Sequence, residues 1–221
     1  MTALRTVDVA PERLARWLDG FEQRHGGPLR WQVRPDRLTA IAGNGAQADC
    51  EVPFPPLNAP DPRVDLVASA LEERRVGVLL VRLGGFAAGI FQGTELVTSK
   101  VGSRPVHGRN AAGGQSQQRF ARRRAGQVRV ALAEAADTAV RILGPAAAEI
   151  EALVTGGDRR AVTAVLADPR LAPLQPLVVP RVLDVPDPRL RVLRATPAQF
   201  RAVRIRLTDP PPPARGTMVL P

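Results

Sequence analysis

The feature of this sequence that most constrains its fold is a row of three strand-like segments followed by one long helical segment. The three segments span residues 76–83, 86–91 and 94–100, and a two-residue turn that contains glycine separates each from the next. Turns this short join strands that pair as antiparallel neighbours. Apolar residues then recur at helical spacing from Phe120 to Ile142, before a Gly-Pro pair ends the helix. The middle of the chain is therefore predicted to form an antiparallel meander that leads into a long helix.

The rest of the sequence alternates between strand-like and helix-like segments. Helices are predicted at residues 11–23, 64–74 and 158–167. Asp158 is predicted to be the N-cap of the last of these. Strands are predicted at residues 31–33, 38–42, 49–54, 150–155, 177–185, 190–195 and 202–207. This alternation favours an α/β fold built on one mixed sheet.

Proline-rich segments mark the predicted domain boundaries. We predict a small α+β N-terminal extension at residues 1–60, a larger α/β domain at residues 61–208 and a disordered tail at residues 209–221. The tail contains four consecutive prolines. The only cysteine, Cys50, excludes an internal disulfide and a cysteine-based zinc site.

A strongly basic window surrounds the start of the long helix. No acidic residue occurs between Glu95 and Glu134, and the whole chain has a net charge of +10. Of its 31 lysines and arginines only Lys100 is a lysine. Arginine makes forked contacts with phosphate and stacks on bases, so the window predicts an RNA-binding surface, with a solvated helix face as the alternative. The candidate RNA-binding residues are Arg104, Arg109, Arg119, Arg122, Arg123, Arg124 and Arg129.

Two glycines and a glutamine stand at the entrance to this basic helix. Gly113 and Gly114 allow backbone dihedrals closed to other residues and a close approach to a ligand. The Gln115 side chain offers a donor and an acceptor, and it can orient a water molecule or stabilise a developing oxyanion. Because glutamine does not titrate near neutral pH, it suits hydrolysis of an activated ester better than proteolysis. A plain flexible glycine loop is the alternative interpretation.

The stretch GGQSQQRFARRR, residues 113–124, resembles the catalytic loop and helix start of the archaeal and eukaryotic class I translation release factors. In those proteins Gly-Gly-Gln is followed by serine and an Arg-Phe-Ala-Arg helix. The stretch LVTGGDRR resembles the next strand–glycine–helix unit of the same domain, and the likeness covers about residues 76–185. It extends to the VLRF family of release-factor-like peptidyl-tRNA hydrolases, in an actinobacterial-type short form. That family's signature is Gly-x-x-Gln, which Gly114 to Gln117 fits, so Gln115 and Gln117 are both candidates for the operative residue.

This resemblance implies a fold and a function. The fold would be an RNase H-like mixed sheet, of the catalytic middle-domain type only. The function would be peptidyl-tRNA hydrolysis that releases nascent chains on stalled or split ribosomes, in ribosome quality control. Gly113 and Gly114 would shape the loop, and Gln115 or Gln117 would position water. The partners would be the large ribosomal subunit and peptidyl-tRNA, with no metal ion and no small-molecule cofactor.

Two other functions stay open at this point. A non-catalytic ribosome-binding or RNA-binding module would need the arginines but not the glutamines. A nuclease acting near the tRNA acceptor end would use the same loop on a phosphodiester.

A two-metal version of that nuclease needs several carboxylates in one place. The meander supplies only Glu95, and the long helix supplies Glu134 and Asp137, which are expected to pair with Arg141 two turns and one turn away. The sequence contains no signal peptide and no apolar run long enough to span a membrane, so a cytoplasmic protein is expected.

Overall fold

The chain folds into two compact units in a computed structural model, which describes residues 4–82, 84–104 and 115–210. The first unit contains the described residues of Met1–Leu71 and Arg201–Pro221, and the second contains those of Glu72–Phe200. By this division residues 61–71 and 201–208 belong to the first unit. The predicted boundary near residue 60 and domain end at residue 208 stay predictions. Residues 211–221 of the predicted tail lie outside the described part of the chain.

The strands and helices of the described residues are numbered in chain order. They are β1 (Leu4–Val9), α1 (Pro11–His25), β2 (Arg30–Arg34), β3 (Arg37–Ile41), β4 (Gln47–Glu51), α2 (Pro62–Leu71), β5 (Arg75–Arg82), β6 (Gly85–Gln92), β7 (Glu95–Ser103), α3 (Gln115–Leu143), β8 (Ala152–Gly157), α4 (Arg159–Leu166), β9 (Val178–Leu183), α5 (Leu190–Ala195), α6 (Pro197–Phe200) and β10 (Val203–Thr208). Short 3-10 helices follow α3 and α4, at Gly144–Ala146 and Pro169–Leu177.

The first unit is a five-stranded antiparallel sheet in the order β1-β10-β4-β3-β2, and it shares a core with α1 and α2. Side chains alternate across the sheet, so Leu38 and Ala40 of β3 are buried while their neighbours are partly exposed. The central position of β10 places Ile205 opposite both Val7 and Cys50. Burial, with a smaller contribution from Asp49, raises the pKa of the Cys50 thiol to about 12. This cysteine is therefore a small apolar core residue rather than a nucleophile.

The second unit is a five-stranded mixed sheet in the order β7-β6-β5-β8-β9. Strands β5, β6 and β7 form the predicted antiparallel meander, whereas β8 pairs parallel with both β5 and β9. The central strand β5 is buried at all of its positions from Val76 to Val81, as its continuous apolar sequence predicts. The C-terminal half of α3 packs on β6 and completes the core with Ala135, Ala139 and Leu143.

The connection from β8 to α4 depends on a glycine in the left-handed region. Gly157 has a φ of +93°, and a Cβ atom at this position would lie 2.3 Å from the carbonyl oxygen of Val81. The tight turn lets the Asp158 amide donate to that oxygen at 2.8 Å. The Asp158 carboxylate then accepts a hydrogen bond from the Ala161 amide at 3.0 Å, which confirms Asp158 as the N-cap of α4.

The second unit confirms the predicted mixed sheet, but one of the strands predicted for the larger domain lies in the other sheet. Strand β10, predicted at residues 202–207, pairs with β1 and β4 of the first unit rather than with β9. Only the second sheet is mixed. Strand pairing between residues about 200 positions apart leaves no local mark in the sequence.

The prediction of a strand at residues 190–195 is also wrong, because this segment is helix α5. Its apolar residues are too few to distinguish a strand from a short helix by local pattern alone. The buried positions are Leu193, Thr196, Pro197 and Phe200, which is helical spacing continued across the proline. Proline is tolerated at the first turn of a helix, and α6 begins with Pro197.

Candidate functional site

Several candidate residues lie outside the described part of the chain, while others have only their backbone described. Gly113, Gly114 and Arg109 are in the first group. The backbones of Gln115, Gln117, Arg119 and Arg123 lie in the N-terminal half of α3. The side chains of Arg104, Arg122, Arg124 and Arg129 are described.

Helix α3 has two halves with different surroundings. From Arg122 to Val130 every described side chain is exposed or half-buried, including Val128 and Val130 at 37% and 53% exposure. Burial begins at Ala131 and continues to the end of the helix. At 1.5 Å per residue, the start of α3 at Gln115 is about 24 Å from Ala131. The candidate glutamines are therefore at the end of a helical arm whose described side chains take no part in the hydrophobic core.

The electrostatics of this arm favour an anion. A helix N-terminus carries a partial positive charge, which acidic residues usually offset in the first turn. The first turn of α3 contains no acidic residue, and arginines follow at positions 119 and 122–124. The side chains of Arg122, Arg124 and Arg129 form no ion pair with any described residue. A bound polyanion would neutralise this charge, which no described residue compensates at Arg122, Arg124 or Arg129.

Gly126 lies within the arm, between the arginines at positions 122–124 and the packed half of the helix. A Cβ atom at this position would meet no heavy atom within 4 Å. We expect Gly126→Ala to stabilise the protein by about 0.5–1 kcal/mol, because alanine loses less backbone freedom than glycine in a helix. Thermal unfolding followed by circular dichroism should show a midpoint higher by about 1–4 °C. A lower midpoint would contradict the continuous helix described here.

Arg104, at the end of the meander, is paired with an acidic residue of α3. Its Nε donates to Oε1 of Glu134 at 2.6 Å, and a second guanidinium nitrogen also contacts this oxygen. The hydrogen bond from Arg104 lowers the pKa of Glu134 and raises that of Arg104. The basic window itself contains no acidic residue, so Arg104 takes its counterion from the first acidic residue that follows the window in the sequence. The pair ties the residue that precedes the 105–114 segment to the middle of α3.

The expected pairing of Glu134 and Asp137 with Arg141 is also wrong. Asp137 accepts instead from Arg170 at 2.8 Å, and Arg170 also contacts Asp168. Hydrogen bonds from the Arg170 side chain and amide lower the pKa of Asp168 to about 2. Both acidic residues of the helix thus connect it to other parts of the second unit. In residues 4–82, 84–104 and 115–210, no three His, Cys, Asp or Glu side chains are grouped closely enough to hold a metal ion.

None of the helices in these same residue ranges combines the length and the apolar character needed to cross a membrane. The fold and the site thus define a two-unit α/β protein that presents the uncompensated basic end of a long helix. The chain belongs to the Actinobacteria/chloroflexi VLRF1 release factor family, whose model matches residues 74–206. It is therefore a release-factor-like protein of translation, and its family implies interaction with the ribosome. The match spans the meander, all of α3 and the first four residues of β10.

Similar solved structures include an archaeal translation termination factor, aRF1, with 15% identity and a TM-score of 0.41 over 87% of this chain and 73% of that one. Another is the Vms1 mitochondrial localization core, with 12% identity and a TM-score of 0.41 over 87% of this chain and 80% of that one. A search of curated proteins finds no match.

Proposed function

We propose that this protein is a peptidyl-tRNA hydrolase that releases nascent chains from tRNA on stalled or split ribosomes. The observation that carries the proposal is the position of the two candidate glutamines in a release-factor family member. Gln115 and Gln117 begin a helical arm that is basic and has no acidic residue in its first turn, and its described side chains from Arg122 to Val130 are exposed or half-buried. An arm of this kind can enter a phosphate-rich cavity and place a neutral amide there.

The chemistry would be the attack of water on the ester that joins the peptide to tRNA. Water adds to the carbonyl carbon, the bond from this carbon to the tRNA oxygen breaks, and the proton lost by the water ends on that oxygen as a hydroxyl. Gln115 or Gln117 would orient the water and donate to the developing oxyanion. Gly113 and Gly114 would let the backbone approach the ester closely. No cofactor or metal ion has a role in this scheme.

The arginines would hold RNA rather than act on the ester. Arg119, Arg122, Arg123, Arg124 and Arg129 would contact phosphates of ribosomal RNA or tRNA, together with Arg109. Arg104 would contribute less, because Glu134 already neutralises part of its charge. We further propose that the second unit is RNase H-like, since its mixed sheet carries α3 and α4, and that the protein acts in the cytoplasm. Residues 1–60 would be an extension outside the catalytic domain.

Peptide release from purified large ribosomal subunits that carry peptidyl-tRNA tests this function. We expect the protein alone to release the peptide in repeated turnovers. Binding to the subunits with no release would support the non-catalytic module instead. If the protein neither binds these subunits nor releases the peptide, both functions are contradicted.

The contribution of the arginines can be measured separately from catalysis. A double variant, Arg122→Gln with Arg129→Gln, removes two charges and should weaken binding to RNA. The slope of log binding constant against log salt concentration should become less steep by roughly two, at about 0.9 or less per phosphate contact. The matched control is Arg141→Gln, because Arg141 is an exposed arginine in the packed half of the same helix. Equal salt dependence in the unaltered protein, the double variant and the Arg141→Gln control would show that the arm does not contact phosphates.

A further inference from the structure

A cavity of about 560 Å³ opens in the first unit, between α1 and the paired ends of β1 and β10. This volume lies in the range of small-molecule sites. Its walls come from parts of the chain that are far apart in sequence, since Arg5 of β1 pairs with Leu207 of β10. Nothing in the proposed release reaction uses this cavity.

One wall of the cavity is a column of aromatic rings on α1. Trp17, Phe21 and His25 follow each other at one-turn spacing and all line the cavity. The Trp17 and Phe21 rings are nearly parallel, at 6° with centroids 5.7 Å apart, and the His25 ring lies 4.7 Å from Phe21. Phe21 is buried, while Trp17 and His25 are half-buried. The exposed part of Trp17 provides a surface on which a planar group can stack.

A hydrogen-bond relay holds the His25 ring in one orientation. The Asn44 side-chain oxygen accepts from the Ala46 amide at 3.0 Å, which directs its Nδ2 toward Nδ1 of His25 at 3.2 Å. Because this Nδ2 can only donate, Nδ1 of the neutral ring is an acceptor and the proton lies on Nε2. His25 thus offers a donor that none of its contacts with the described residues consumes.

The charges around the cavity favour an anion with a polar planar group. Arg5 and Arg24 line it, are exposed and form no ion pair with the described residues. Thr208 adds a hydroxyl, and Asp209 adds one carboxylate, which would accept from an amino group and repel a phosphate. Two arginines beside one carboxylate leave the site positively charged.

We propose that this cavity binds a nucleotide, with the base stacked on Trp17 and hydrogen-bonded by Nε2 of His25, and the phosphate held by Arg5 and Arg24. The base could belong to a free mononucleotide or to an unpaired position of an RNA strand, since both present the same chemistry. The site lies within the first unit and does not depend on peptide release, so it stands or falls separately from the proposed function.

The test is calorimetric titration of the full chain, without ribosomes, using AMP, adenosine, ribose 5-phosphate and a single-stranded RNA hexanucleotide. We expect AMP to bind at one site and at least about tenfold more tightly than adenosine or ribose 5-phosphate, because each of these lacks one of the two contacts. RNA binding that AMP displaces would assign the site to an RNA nucleotide. AMP binding without RNA binding would assign it to a free nucleotide.

The matched variants are Arg24→Gln in the cavity and Arg16→Gln, an exposed arginine of α1 that does not line it. We expect Arg24→Gln to weaken AMP or RNA binding by about tenfold and Arg16→Gln to leave it unchanged. Equal effects of the two variants, or no binding of either AMP or RNA to the unaltered protein, would overturn the proposal.

Discussion

Replacing Gln115 and Gln117 together with alanine is expected to abolish peptide release while RNA binding is retained. The expected loss is about 100-fold or more, the size seen when one donor to a developing oxyanion is removed. RNA binding should persist because the exposed arginines of α3 are untouched. Release is measured as free peptide from large subunits that carry peptidyl-tRNA, and binding as co-sedimentation with the same particles.

The single variants separate the two signatures that the sequence satisfies. Loss with Gln115→Ala alone would identify the Gly-Gly-Gln form, and loss with Gln117→Ala alone would identify the Gly-x-x-Gln form. Gln118→Ala is the matched control, because Gln118 belongs to neither signature. Full activity of the double variant would contradict a catalytic role for this helix start.

Replacing Gly157 with alanine is expected to cost about 3 kcal/mol of folding free energy or more. A positive φ is strained for alanine, by an amount on the order of 1–3 kcal/mol. The added methyl group would also lie 2.3 Å from the Val81 carbonyl oxygen, in a position that only backbone movement can relieve. Moving the backbone would disturb the hydrogen bond between Val81 and Asp158 and the cap of α4.

Urea and thermal unfolding measure this cost. A loss of about 3 kcal/mol corresponds to a thermal midpoint lower by roughly 6–12 °C in a protein of this size. Gly126→Ala is the control for the chemical change, since the same methyl group meets nothing there and should raise the midpoint. An unchanged midpoint for Gly157→Ala would contradict the turn geometry between β8 and α4.

Local sequence patterns predicted the helices and strands whose apolar residues repeat at a regular spacing. The meander, the long helix and α1 have short-range signals in turn spacing and apolar repeats, and all are confirmed. Strand β1 was not predicted, because its partner β10 is nearly the whole chain away. The same reason explains why β10 was assigned to the wrong sheet. Long-range pairing depends on burial across the folded unit, which a single sequence does not show.

The candidate site shows the same division. The basic window and the glutamines are visible in the sequence because charge and motif are local properties. The partner of Arg104 is 30 positions away on α3, and the partner of Asp137 is 33 positions away. Spacing within the helix predicts Arg141 as the ion-pair partner of both acidic residues, but each pairs instead with an arginine outside the helix. The folded structure is therefore needed to tell which arginines are free to bind phosphate.

The most direct test of the central claim is the identity of the tRNA 3′ end after the unaltered protein releases peptide from large subunits that carry peptidyl-tRNA. Peptide and tRNA are followed separately on gels, and the tRNA end is tested by aminoacylation. The account predicts free peptide and full-length tRNA with an intact 3′ hydroxyl that can be charged again. Peptide that still bears a short 3′ fragment of tRNA would contradict ester hydrolysis and place the cleavage at a phosphodiester.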